Sequence, residues 1–314
     1  MKHKTTGRTY RLRNWGEYNA ALVKRGSLTL WVSEAALSAW HEAARSGKRG
    51  APRTYSDRAI TCMAMLSAVY RLTLRATQGL LTSVMALLQV QLPVPDYTTL
   101  CRRRQALEVR LPRRARGEPL HVVVDATGVK VYGEGEWKVR SHGWSKRRTW
   151  RKLHLGVDAA SGDIVAAAVT TNDLSDGQLL PELLEQIDED IAQVSADGAY
   201  DTRACYKAID AYEARAAIPP RRGARIWQHG NAHDPPLARD ENLRCIRRMG
   251  RAAWKHEYGY HRRSLAETAM FRIKTIFGDR VRARRFKAQA AEMLIRCAAM
   301  NRMTHLGMPD SYAV

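Results

Sequence analysis

The segment HVVVD, residues 121–125, is a run of β-branched residues that ends in a carboxylate. An apolar run of this length predicts a short buried strand. Two further strands are predicted at residues 150–158 and 163–170, and the turn at 159–162 joins them into a hairpin. QVSAD, residues 193–197, predicts another strand that also ends in Asp.

Helices are predicted between and after these strands, at residues 177–189 and 202–213. The order β, β-hairpin, α, β, α is typical of a mixed sheet covered by helices, an α/β (α+β) fold. Residues 219–258 follow and are irregular, basic and rich in Pro and Gly. They predict an insertion between the last strand and the helix that comes next.

That helix is predicted from YHRRSLAETAMFRIK, residues 260–274. With 3.6 residues per turn, Tyr260, Arg263, Glu267 and Lys274 lie on one face, and Phe271 lies near Glu267. The opposite, apolar face is predicted to be buried; its members are Leu265, Ala269, Ile273 and Ile276. A plainer interpretation is a solvated helix with an Arg263–Glu267 ion pair.

Asp125 and Asp197 each end a predicted strand, and ligands collect at the carboxyl ends of strands in open α/β sheets. If the strands are neighbours, the two carboxylates repel each other unless a metal joins them. Glu267 completes an all-oxygen site that suits Mg²⁺ or Mn²⁺. Two such ions support in-line displacement at phosphorus, which is the chemistry of DNA strand cleavage and transfer.

The net charge of the chain also indicates DNA as the partner. Lys and Arg total 52 against 31 acidic residues, a formal charge of +21. Double-stranded DNA is favoured over a membrane because the cations are spread along the chain and no apolar run is long enough to span one. The N-terminus carries no apolar leader, so we expect a cytoplasmic protein. The five cysteines are scattered and predict reduced thiols, with neither a disulfide framework nor a zinc site.

Residues 1–117 predict a helical DNA-binding region, and the basic linker at 111–119 marks the boundary to a catalytic domain at 118–314. Ser56 caps one helix, and Asp96 caps another at residues 97–107. The second begins DYTTLCRRR, so residues 56–107 resemble a helix-turn-helix whose last helix offers Arg102, Arg103 and Arg104 to DNA. The alternative is a surface helix with a basic end.

A cationic band near Asp125 is interleaved with Trp137, Trp144 and Trp150. Such a mixture predicts binding to a nucleic-acid backbone, and a strand face with solvated charges is the alternative. Its members are Lys138, Arg140, Lys146, Arg147, Arg148, Arg151 and Lys152. Tyr260 and Phe271 are candidates for stacking on a displaced base, although Phe271 can equally pack against another helix.

These residues resemble a known family. The pattern Y-x2-R-x3-E-x6-K at residues 260–274 resembles the signature of DDE transposases in the insertion-sequence-4 and insertion-sequence-5 families. The blocks at 122–139, 146–158 and 196–203 resemble those around the first two catalytic Asp residues of the insertion-sequence-5 family, near its insertion-sequence-903 subgroup. The resemblance covers residues 55–305 and helps least over the first fifty.

The resemblance implies an RNase H-like catalytic domain with an insertion before the Glu-bearing helix. Asp125, Asp197 and Glu267 become the catalytic, metal-binding triad, and Tyr260, Arg263 and Lys274 become DNA contacts. It implies a bacterial transposase, associated with DNA, that binds terminal inverted repeats and pairs two element ends as a homo-multimer. Two alternatives stay open: a metal-dependent nuclease without strand transfer, and a catalytically silent DNA-binding protein derived from a transposase.

Overall fold

In the computed structural model the described residues are 10–42, 52–114, 117–131, 150–228 and 236–314. The strands are β1 Tyr10–Leu12, β2 Leu120–Val131, β3 Trp150–Asp158, β4 Ile164–Thr171, β5 Ile191–Ser195, β6 Arg215–Ala217, β7 Arg280–Val281 and β8 Ser311–Ala313. The helices are α1 Trp15–Lys24, α2 Leu28–Trp31, α3 Glu34–Ser38, α4 Asp57–Val69, α5 Leu74–Leu87, α6 Tyr97–Arg103, α7 Leu180–Leu184, α8 Arg203–Asp210, α9 Ala238–Met249, α10 Arg251–Glu257, α11 Ser264–Phe277 and α12 Phe286–Leu306.

The main sheet has the strand order β4-β3-β2-β5-β6. β2, β3 and β4 are antiparallel neighbours, whereas β5 and β6 run parallel to β2. β7 adds a short parallel pairing to the far end of β2. This mixed sheet confirms the predicted α/β class, and its strand order and directions are those of an RNase H-like fold.

The valine run of β2 places alternate side chains on opposite faces of the sheet. Val123 lies in a hydrophobic cluster with α4, α11 and α12, and Val122 and Val124 lie in a second cluster with α7 and α8. All three valines are fully buried. The sheet is therefore covered by helices on both faces, which explains why its first strand is apolar throughout.

Several predicted elements have different ends in the structure, and two short strands were not predicted. β2 continues for six residues beyond Asp125, because β3 pairs with it as far as Lys130. β6 and β7 were not predicted, since strands of three and two residues carry too little pattern. The helix predicted at 177–189 is a 3-10 turn followed by the short α7, and residues 260–263 form a 3-10 turn before α11.

The insertion at 219–258 was predicted to be irregular, and this was wrong over α9 and α10. The buried side chains of α9 are mostly polar, so the helix lacks the apolar periodicity that would have indicated it. Arg239 donates to Asp201 across 2.9 Å, and Asn242 donates to the Ala216 carbonyl across 2.8 Å. Burial of paired polar groups replaces apolar packing here.

The N-terminal helices pack on α11 and α12, the helices that cover one face of the main sheet. One hydrophobic cluster contains Trp31, Ile60 and Leu66 from the helical region together with Val123 and Met300. The division of the chain at residue 117 stays a prediction, and apolar packing is continuous across it. Within the described ranges, no helix combines the length and the apolarity that crossing a membrane requires.

The predicted helix caps are confirmed. Ser56 caps α4, and Asp96 caps α6 by accepting hydrogen bonds from the N–H groups of Thr98 and Thr99. Their hydroxyl groups donate to the same carboxylate and hold the pKa of Asp96 well below its ordinary value. Because the folded-state pKa is depressed, this stabilisation is present above the unfolded value of about 4 and is lost as the pH falls below it.

Asp96→Ala is expected to lower the free energy of unfolding by about 1 kcal/mol at neutral pH, because α6 loses its cap. Urea denaturation at pH 7 measures the change. Asp96→Asn is the matched control, since Asn caps about as well as Asp. Equal losses in both variants would contradict a capping role for the carboxylate.

Candidate active site

The register of β2 and β5 brings Asp125 and Asp197 together. The two strands run parallel, and their last pair is Val123 with Ser195. Asp125 lies two residues beyond Val123, and Asp197 lies two residues beyond Ser195. The strands separate at this point, because β2 continues along β3 while the chain after β5 turns into a 3-10 helix capped by Asp197. Both carboxylates therefore lie at the opening between the strands.

α11 lies along β2 and brings Arg263 and Glu267 to the same place. Arg263 Nη1 lies 3.0 Å from Asp125 Oδ2, and its Nη2 donates to Glu267 Oε1. Further along the helix, Lys274 Nζ donates to Thr127 Oγ1 across 2.6 Å. Asp125 and Thr127 share one face of β2, so two pairs of contacts align the helix with the strand.

The charges of the other two acids act on Asp125. Burial raises the pKa of Asp125, and the charges of Asp197 and Glu267 raise it further. The Ala126 N–H, which donates to Asp125, and the Arg263 guanidinium oppose this rise. Asp125 and Glu267 therefore share one guanidinium, and Asp197 adds a further negative charge near Asp125.

The donor chemistry fits a hard divalent cation, because Asp125, Asp197 and Glu267 offer carboxylate oxygens alone. Among the described residues, no three His, Cys, Asp or Glu side chains lie close enough to share one ion. At this site the Arg263 guanidinium lies between Asp125 and Glu267 and pairs with both carboxylates. The carboxylates converge on Arg263 in this conformation.

The two aromatic candidates lie in different environments. Tyr260 is 8% exposed, and its ring centroid lies 5.9 Å from that of Trp254. Phe271 is 69% exposed on the outer face of α11. In this conformation Phe271 is accessible to a base and does not pack against another helix of the described chain, whereas Tyr260 packs inside the fold. A DNA contact by either residue stays a prediction.

The cationic band is described only in part. Lys138, Arg140, Lys146, Arg147 and Arg148, with Trp137 and Trp144, lie outside the described residues. Arg151 Nε donates to Gln289 across 2.7 Å, and Lys152 pairs with Asp176 at 3.0 Å. Both cations already bind groups of the protein, and their contact with DNA stays a prediction.

The three consecutive arginines at the end of α6 and just after it differ in their surroundings. Arg103 pairs with Asp57 at 2.7 Å and donates to the Tyr55 carbonyl, and its side chain is 16% exposed. Arg102 is exposed and donates to Thr98, and Arg104 is half-buried. Arg103 therefore anchors α6 to α4, while Arg102 faces solvent.

Tyr200 is a further residue near the acids, and the sequence analysis did not single it out. It is 1% exposed, and its hydroxyl has no hydrogen-bond partner among the described residues. Burial raises the pKa of Tyr200 above its ordinary range, and the nearby charges of Asp176, Asp125 and Asp197 add to the rise. Its place in the block ADGAYDTR was the only available signal.

Tyr200→Phe is expected to leave the free energy of unfolding unchanged or to raise it by roughly 1 kcal/mol, because it removes a buried hydroxyl without a partner. Urea denaturation checks this. Tyr206→Phe is the control, since the Tyr206 hydroxyl donates to the Ile218 carbonyl across 3.2 Å and its loss is expected to destabilise. A loss of more than 1 kcal/mol in Tyr200→Phe would mean that the hydroxyl is satisfied.

Known proteins that resemble this chain are transposases. Two family models, each described as a transposase DDE domain, match residues 23–134 and residues 116–302. A solved structure of similar shape is the cryo-EM structure of a piggyBac transposase synaptic complex with hairpin DNA, at 12% identity and a TM-score of 0.42. That match covers 89% of this chain and 75% of the other. Because the second family match spans more than half of the 314 residues, this chain belongs to the DDE transposase family and is a polynucleotidyl transferase.

Proposed function

We propose that this protein is the transposase of an insertion sequence. It binds the terminal inverted repeats of its own element, cleaves the DNA at their ends and joins the 3′ ends to target DNA. The observation that carries the proposal is the pairing of Asp125 and Glu267 with the one guanidinium of Arg263. Asp197 is close enough for its charge to act on Asp125, and Lys274 lies on the same helix as Glu267. Membership of the insertion-sequence-5 family, near the insertion-sequence-903 subgroup, is part of the proposal and is supported by the spacing from Tyr260 to Lys274.

Asp125, Asp197 and Glu267 would hold two Mg²⁺ or Mn²⁺ ions, which suits their oxygen donors. When bound, the ions supply charge stabilisation to the attacking and leaving oxygens of the phosphoryl transfer. The chain contributes the placement of the ligands: the sheet positions the two aspartates, and α11 positions the glutamate. A homo-multimer that pairs two element ends brings two such sites to the DNA.

Arg263 has a second role in the proposal. A guanidinium binds a phosphate with the same two-pronged geometry that it uses with a carboxylate. We propose that the phosphate next to the cleavage point draws Arg263 away from Asp125 and Glu267, so that the carboxylates become available to metal as DNA binds. Lys274, which donates to Thr127 next to the site, supplies a point charge to the same DNA strand.

Glu267→Gln tests the catalytic role, because it keeps the shape of the side chain and removes its charge. On a duplex that carries the flanking inverted repeat, with Mg²⁺ or Mn²⁺, wild-type protein is expected to give cleaved and joined strands. The variant is expected to be at least about 100-fold slower, since a metal ligand contributes several kcal/mol to the transition state. Affinity for the same duplex, measured by fluorescence anisotropy, is expected to persist.

Glu257→Gln is the matched control, since Glu257 is exposed on α10 and outside the site. Cleavage without joining would support a nuclease that lacks strand transfer. Sequence-specific binding with equal, negligible cleavage by wild type and variant, under conditions that assemble paired ends, would leave only a DNA-binding protein derived from a transposase.

Arg263→Ala tests the exchange between guanidinium and metal. Without DNA, Mn²⁺ is expected to bind the variant roughly tenfold more tightly, because a charge-assisted hydrogen bond worth about 1.5–3 kcal/mol no longer competes for the carboxylates. Strand cleavage is nevertheless expected to slow, because the phosphate contact is lost. Calorimetric titration measures the affinity, and Arg262→Ala, an exposed neighbour, is the control. Unchanged Mn²⁺ affinity would contradict the exchange.

A further inference from the structure

A groove runs along α6, between this helix and the connector formed by residues 282–285, which joins β7 to α12. Two adjoining concavities make up the groove, and Cys101, Arg102 and Arg284 line both of them. One extends to Thr73 at the start of α5, and the other extends to Ala288 in the first turn of α12. We call this surface the α6 groove. It joins the N-terminal helical region to the part of the chain that follows the Glu267 helix.

The charge of the α6 groove has one sign. Its lining contains no Asp or Glu among the described residues. The lining cations are Arg75, Arg102, Arg104, Arg282, Arg284 and Arg285. All of them except Arg104 are exposed, and within the described chain none belongs to an ion pair. So many cations with so few counter-charges create a positive potential that attracts a polyanion.

The lining arginines are supported by neutral groups. The Arg75 guanidinium lies 4.2 Å from the centroid of the Tyr97 ring and donates to its hydroxyl. Arg282 Nη1 donates to the Arg71 carbonyl across 2.9 Å. These contacts orient the guanidinium groups without neutralising them, so the charges stay available to a ligand.

The connector that forms the second wall is held in place. The Glu292 carboxylate accepts hydrogen bonds from the N–H groups of Arg282 and Ala283, at 3.1 and 3.0 Å. The same carboxylate pairs with Arg296 at 2.6 Å, and Arg296 donates to the Arg280 carbonyl. Glu292 thus binds the connector from behind, and its negative charge is compensated by Arg296. A wall fixed in this way costs little to order on binding.

We infer that the α6 groove binds the sugar-phosphate backbone of double-stranded DNA. The inference rests on the proposed function only in taking DNA as the ligand. Guanidinium groups suit phosphates because they donate two parallel hydrogen bonds. DNA in the groove touches the helical region and the connector at once, and it thereby links repeat binding to the segment that follows the Glu267 helix. Arg103 takes no part, since Asp57 neutralises it.

Two measurements test the groove, both without divalent metal so that strand cleavage does not enter. The first compares wild type with Arg102→Ala/Arg284→Ala by fluorescence anisotropy on a duplex at several salt concentrations. The variant is expected to bind roughly tenfold to a hundredfold more weakly at ~0.1 M salt. The slope of log affinity against log salt is expected to be shallower by about 1.8, or ~0.9 for each lost phosphate contact.

Lys24→Ala/Lys207→Ala is the control, because it removes two exposed charges from α1 and α8, away from the groove. The slope separates a lost contact from a folding defect, since partial unfolding lowers the active fraction and does not change the salt dependence. If the groove variant keeps the wild-type slope, the inference is overturned.

The second measurement uses Cys101, which is exposed in the groove, whereas Cys62, Cys205 and Cys297 are buried. In a Cys245→Ser background, Cys101 is the one remaining exposed thiol. Saturating duplex is expected to slow its alkylation by maleimide at least tenfold, and unchanged alkylation would overturn the inference. Protection by an acidic polypeptide and not by the duplex would assign the groove to a protein partner. Protection of Cys101, together with no cleavage by wild type in the separate assay with Mg²⁺ or Mn²⁺, would keep the groove and refute the proposed function.

Discussion

The candidate active site depends on the point at which β2 and β5 cease to be neighbours. Parallel pairing ends at Val123 and Ser195, and the identical offset of two residues then puts Asp125 beside Asp197. β3 keeps β2 extended beyond this point, so Asp125 is held by a strand that is still paired on its other side. Two carboxylates held close together in fixed positions repel each other unless a cation compensates them. The rest of the site supplies it.

The orientation of α11 places the cation, because burial of the apolar face of the helix fixes that orientation. Ala266, Ala269, Met270 and Ile273 are buried against the sheet, which fixes the rotation of the helix about its axis. Arg263 and Glu267 are then carried to the two aspartates. Without DNA, the Arg263 guanidinium compensates part of the negative charge of the carboxylates. The proposed replacement of the guanidinium by metal ions involves the same carboxylates. The Arg263 guanidinium thus stabilises the site in the free protein, and in the proposal its release makes the carboxylates available to metal when DNA binds.

The helical region is joined to this arrangement by packing as well as by charge. α4 and α12 share a hydrophobic cluster with the sheet, so α6 has a defined position relative to the Glu267 helix. The α6 groove lies along that junction, and its walls come from parts of the chain almost 200 residues apart. A DNA duplex in the groove therefore contacts α6 and the connector as one continuous surface.

The sequence by itself determined the alternating valines of β2, the caps Ser56 and Asp96, and the acids Asp125, Asp197 and Glu267, because each depends on local spacing or on a short motif. Only the tertiary structure decided that β2 continues past Asp125, that residues 238–257 are helical, and that Arg102 is exposed while Arg103 is paired. These outcomes depend on partners distant in the chain: β3, the buried Asp201 and Asp57. Local patterns carry the preference of each segment, but the neutralisation of a charge or the extension of a strand requires a neighbour that only folding supplies.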